Sequence, residues 1–243
     1  MIDTLPWTCG RCIQVSERRV KIPPTEVREG CALLIERIRG HCGDAQVLVN
    51  AGRSQGAFLL ILLAFEEVGK LLELIQAAAV AERSSVPYAE VTTYLEHGAR
   101  ASHEAKATLS MDYFRRTLEL VAWALRVAGI PDESLGGYAD HISAIGADFS
   151  KLRGTAMYVD YANGTWTRGR PVDTKFLSVD ILSLTMIAGM LEATLIGQKT
   201  FGGVVEVFTE LERDARKDLP DLFRDIARAF EQGRSNQTKT EGK

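Results

Sequence analysis

Residues 57–75 read AFLLILLAFEEVGKLLELI. Nine apolar residues in a row are followed by two acids, a glycine and a lysine, after which the apolar run resumes. A segment of this kind must be buried, so its charges have to be placed or neutralised by the fold. Successive helical residues turn by about 100°. Glu66, Lys70 and Glu73 therefore share one stripe that runs back through Gln55. That stripe reads as a narrow solvent-facing seam, with Glu66 and Lys70 in the favoured i, i+4 order. Glu67 falls elsewhere, in line with Leu60, Ala64, Leu71 and Leu74 on the apolar face. A carboxylate there is costly unless it is paired. Either Lys70 or an arginine from another helix neutralises it, or Glu67 orients a functional group on a neighbouring helix.

The same period extends over most of the chain. From Thr25, with Val27, Cys31, Leu34, Ile35 and Ile38 at three- and four-residue spacing, a first helix runs through Gly40 and Gly43, possible kink points by composition, to Asn50-Ala51-Gly52. Further helices are expected at about 53–82, 87–109, 110–129 and 138–154. Asn163-Gly164 signals a short hairpin that pairs Tyr161 with Trp166. A helix at about 174–198 is apolar nearly all round and is expected at the centre, followed by two amphipathic helices at about 203–217 and 219–232. The expected architecture is all-α, an up-and-down bundle with one short inserted β-hairpin. It comprises a loosely packed arm over residues 1–24, one helical domain over 25–232 and a polar, disordered tail over 233–243.

Composition removes several function classes. At 46% hydrophobic and 25% charged, with a net charge of −3, the chain has a globular composition and no bulk basicity for coating nucleic acid. The start MIDTLPWTCGRC lacks the charged and apolar regions of a signal peptide. The longest unbroken apolar run is nine residues against the ~20 of a spanning helix, so a cytoplasmic protein without a membrane partner is expected. Cys9 and Cys12 form a CxxC, but no second CxxC follows and Cys31 lies in a helical pattern, so reduced thiols are favoured over zinc. LGGYAD has neither a preceding strand nor a following Lys-Ser or Lys-Thr, so no nucleotide loop is read and no cofactor is expected.

Three blocks carry a family resemblance: GRSQGAFLLILLAFEEVGK, SHEAK with His103 and Lys106, and KLRGTAMYVDYANGTW followed by Pro171. In this order they resemble the AbiV-type abortive infection proteins of bacteria, over about residues 28–200. The resemblance implies antiviral defence, in which infected cells stop growing, and a HEPN-like helical domain. Many such domains are metal-independent ribonucleases that work as homodimers, with an arginine followed four to six residues later by a histidine. This sequence departs from that spacing. Two residues separate Arg100 from His103, and three separate Arg37 from His41.

Cleavage of RNA without a metal needs a base for the ribose 2′-hydroxyl, an acid for the leaving oxygen and cations for the phosphorane. His103 suits the acid–base role, with an ordinary pKa near 6.5. Lys106 lies one turn later on the same face. Arg153 and Lys151 supply phosphate contacts, and Asp160 or Glu67 fixes the imidazole tautomer. The expected catalytic set is His103, Glu67 and Arg153, with Lys70, Lys106, Lys151, Tyr158 and Asp160 as substrate contacts, all in one cleft. Packing alone explains Tyr161 and Trp166, and a plain polar helix face explains His103 and Lys106. His41, His97 and His141 read as structural or exposed. The competing function is a non-catalytic helical module that binds a phage or host protein.

Overall fold

The computed structural model describes residues 19–92, 107–108, 110–119, 133–157, 160–162, 165–167 and 175–240. Helices α1 (Pro24–Asn50) and α2 (Ser54–Arg83) form an antiparallel hairpin. Their three-residue connection uses Gly52 at φ +69°. The amide of Arg53 donates to the Leu48 carbonyl and that of Gly52 to Val49, which closes the orphan carbonyls of α1. Val27, Cys31, Ile35, Ile38, Cys42 and Ala45 are the buried line of α1, as their spacing predicts. The helix runs on through Gly40 and Gly43.

α2 is the spine of the core. It is buried on nearly every side, and α1, α5 (Leu177–Gly197), α4 (Glu133–Met157) and α6 (Phe201–Thr240) all pack on it. The central place expected for the 174–198 helix therefore belongs to α2. α5 buries one side, through Leu177, Ile181, Leu184, Ala188 and Leu191, and leaves the other in solvent. The run-length criterion for membrane spans also missed α5, which is long and apolar enough to cross a membrane by length and composition.

Two short strands change the expected layout. β1 (Arg19–Ile22) pairs antiparallel with β2 (Ala89–Thr92), with Val20 opposite Val91. Residues 19–22 are thus part of a ribbon and not of a loose arm, and 89–92 are strand where a helix was expected. The cause is tertiary: α1 and α2 are of similar length and antiparallel, so the chain entering α1 and the chain leaving α2 meet at one end. Ala89 and Val91 bury against the core there. Pro23-Pro24 ends the strand and opens α1.

α3 (residues 110–119) seats Phe114 edge-on against Phe65 of α2, with ring centroids 4.9 Å apart. α4 begins at Glu133, inside the stretch expected to be a loop, and bends at Asp148. The hairpin forms as predicted from β3 (Asp160–Ala162) and β4 (Thr165–Thr167), with Tyr161 opposite Trp166. The two expected C-terminal helices are one, α6, with Pro220 inside it. The proline removes one backbone donor without ending the helix, which continues to Thr240 through the region expected as tail. Glu82 at the end of α2 anchors the start of α6, accepting the amides of Phe201 at 3.0 Å and Gly202 at 2.8 Å.

Candidate functional site

The acids of α2 mark the site. Glu66 is only 2% exposed, so the stripe expected to face water is covered at its middle. α4 lies over it and brings Arg153, whose Nη1 stands 3.5 Å from Oε1 of Glu66. Burial of the carboxylate is tolerated because a guanidinium meets it. Further along the same stripe, Nε2 of Gln76 is buried, and so is Nε of Arg153; neither makes a hydrogen bond among the described residues.

Glu67, at 9% exposed, is neutralised from its own helix. Nζ of Lys70 lies 2.8 Å from each of its carboxylate oxygens, an i, i+3 bridge. Lys70 therefore serves Glu67, one of the two neutralising partners the sequence offered for it, and not Glu66 as the i, i+4 order suggested. The reason is geometric: Lys70 lies between the two acids around the helix, and Arg153 already occupies Glu66. On the α1 side, His41 lies in the field of this bridge. Burial lowers its pKa from 6.5, Arg37 and Lys70 push the same way, and Glu67 and Asp44 oppose them. The two adjacent acids thus look to different neighbours, Glu66 to α4 and Glu67 toward α1.

Of the expected site residues, Arg153 pairs with Glu66 and Lys70 with Glu67, two separate pairs on adjacent residues of α2. Lys151 does not join them. It is two residues from Arg153, hence about 200° away around α4, and is 66% exposed beside Asp148 at 3.8 Å. Asp160 opens β3. His103, Lys106 and Tyr158 lie outside the described residues, as do His97, Cys9 and Cys12. Cys31 and Cys42 are buried free thiols on α1, separated by about 16 Å of helix axis, too far to share one ion. Burial pushes the Cys31 thiol up to about 12, which suppresses the thiolate a metal or electrophile needs.

A second polar cluster was not read from the sequence. Asp180 of α5 is fully buried and accepts from the Tyr138 hydroxyl at 2.8 Å. Its other oxygen lies 2.9 Å from Nε2 of His141 on α4. Phe176 packs against both rings. Burial, and then the Asp180 charge, raise the Tyr138 pKa, so its hydroxyl stays a donor. His141 is therefore half of a buried clasp between α4 and α5. The signal was present in FLSVDILSL, a lone acid in an apolar helix, the same pattern that singles out Glu67.

A family model described as AbiV, of HEPN type, matches residues 26–187. No curated protein and no solved structure matches the chain. The matched span holds α1 to α4, the hairpin and the first half of α5, and so contains both polar clusters.

Proposed function

The chain belongs to the AbiV family of HEPN-type abortive-infection proteins, and on that premise we propose that it is a cytoplasmic phage-defence effector that acts on RNA. In this reading His103 is the acid–base group, Lys106 faces the phosphate, and the α2–α4 cluster is the frame on which they work. The observation that carries it is the state of Arg153. One arm of its guanidinium is held by Glu66, while its buried Nε has no hydrogen-bond partner among the described residues. A pinned arginine whose side chain stays 24% exposed is suited to a phosphate oxygen at its open edge, because its charge is permanent and its orientation is set before the ligand arrives. Transfer of the 2′-hydroxyl proton to a base then lets the oxygen attack phosphorus, and the 5′-oxygen leaves with a proton from an acid.

The test is incubation of the purified chain with total RNA beside His103→Ala and Arg153→Ala, each checked for native circular dichroism. Cleavage by the wild type and its loss in both variants is the expected outcome. Indistinguishable RNA profiles for all three would overturn the reading.

One observation favours a second reading, a non-catalytic module that binds a phage or host protein. Lys70 and Arg153 are matched one for one by Glu67 and Glu66, so this cluster has no excess positive charge for a polyanion. Recovery of a specific protein partner from infected cells, together with intact RNA, would select it.

A further inference from the structure

Lys70 stands within reach of two acids at once. It follows Glu67 by three residues and Glu66 by four, so both carboxylates lie one turn back from its ammonium. It bridges Glu67 at 2.8 Å, and its side chain keeps 20% of its surface in water, which leaves space for a change of rotamer. Glu66 is nearly closed off from solvent and needs a facing cation. Arg153 supplies one from across a helix interface, at 3.5 Å. The far side of the cluster is α1. Two close approaches fix the register of the α1–α2 hairpin: a Cβ built at Gly30 would lie 3.2 Å from Cδ2 of Leu74, and one at Gly56 would lie 3.1 Å from Cδ1 of Leu48. Interpolation between them sets Arg37 opposite Glu67, and His41 opposite Leu63, one turn further along α1. Among the described residues, the charges that act on His41 are Arg37 and Asp44 of its own helix and Glu67 and Lys70 of α2. Burial disfavours the imidazolium; Lys70 works with burial, and Glu67 works against it.

We propose that Glu66, Lys70 and Glu67 form a charge relay across α2: when an anion at the open edge of Arg153 draws the guanidinium from Glu66, Lys70 swings from Glu67 to Glu66, and Glu67 is left to the imidazole of His41. Each acid faces a cation before and after the exchange. At rest Arg153 serves Glu66 and Lys70 serves Glu67. Afterwards Lys70 serves Glu66 in the i, i+4 order that helices favour, and Glu67 is served by a protonated His41 with Arg37 one turn away. The proton comes from solvent, so the cluster gains one positive charge when the anion binds. A cluster that is neutral at rest thereby turns attractive to a polyanion on its α1 side once its α4 side is engaged. Linkage requires the reverse as well: protonation of His41 draws Glu67 off Lys70 and loosens Arg153 from Glu66. The proposal rests on the RNA reading only for the identity of the anion, a backbone phosphate. The relay itself is measured without RNA.

The test is an NMR titration of the His41 imidazole, assigned with His41→Gln. Arg153→Met takes the α4 cation from Glu66 and is expected to raise the His41 pKa by about 0.5 unit or more, because Lys70 leaves and Glu67 turns to the imidazole. In a Glu66→Gln background no charge calls Lys70 away, and Arg153→Met is expected to leave the His41 pKa in place. Arg153→Lys keeps the charge but shortens the reach to Glu66; it is expected to shift His41 in the same direction and stands in if Arg153→Met loses its native circular dichroism. An unmoved His41 in the single variants means that Glu66 takes a proton in place of Lys70, and overturns the proposal. So does an equal shift with and without the Glu66 charge, which reduces the effect to the loss of a distant cation. A 2′-O-methylated oligonucleotide, which cannot be cleaved, is expected to raise the His41 pKa of the wild type and not of Arg153→Met. A relay that answers to the substitutions but not to this oligonucleotide upholds the proposal and removes RNA as its trigger.

Discussion

Arg153 reaches Glu66, the more deeply buried of the two adjacent acids on α2, across the interface between α4 and α2, with 3.5 Å between Nη1 and Oε1. Removing the guanidinium leaves a carboxylate with 2% exposure facing a helix that no longer neutralises it. Arg153→Ala should cost on the order of 3 kcal/mol in urea unfolding, at the low end for a broken buried pair because Arg153 is itself 24% exposed. Adding Glu66→Leu to Arg153→Met should restore most of that loss, since the charge and its partner then leave together.

His41 should titrate below the ordinary histidine value. Its neutral form is favoured in the folded chain, so the unfolded chain takes up the proton first as pH falls. The stability it contributes is present above about pH 6.5 and is lost as pH falls through the lower folded value. Followed by the imidazole NMR shifts, Arg37→Ala should raise the His41 pKa and Glu67→Gln should lower it further. The opposite signs would place His41 away from the Glu67–Lys70 bridge.

Tyr138→Phe removes one of two groups that satisfy Asp180. A hydrogen bond to a charged acceptor is worth about 1.5–3 kcal/mol, so the variant should melt several degrees lower. Asp180→Ala should cost more, because it strips both Tyr138 and His141 of their acceptor. If Tyr138→Phe melts with the wild type, the clasp contributes nothing to holding α4 on α5.

Ser85 sits at φ +54° just past the end of α2, where the amide of Val86 donates to the Ala81 carbonyl. A side chain in the left-handed region costs ~1 kcal/mol that glycine avoids. Ser85→Gly should stabilise the chain by about that amount less the added flexibility of the unfolded state, a net gain of a few tenths measurable by denaturant midpoint.

Local pattern made the helices legible, and α1 is the clearest case. Its buried residues fall on the i, i+3, i+4 positions that the sequence marks. The β3–β4 register was equally local, since a two-residue turn leaves Tyr161 and Trp166 no other pairing. The β1–β2 ribbon was hidden because each strand is four residues long and its partner lies some seventy positions away. At the site, helical phase separated Glu66 from Glu67 and offered Lys70 as the partner that Glu67 has, but it turned Glu66 toward water. Which face of α2 meets water depends on where α4 lies, and α4 is not a neighbour in sequence. Asp180 was within reach of the same reasoning that found Glu67, because each is an isolated acid on an apolar helix.

Arg19 stands opposite Thr92 at the open end of the β1–β2 ribbon. Two backbone positions seventy-three residues apart are therefore tied to each other by this short ladder. A pull applied at Arg19 is shared with Thr92 before it reaches α1 at Pro24.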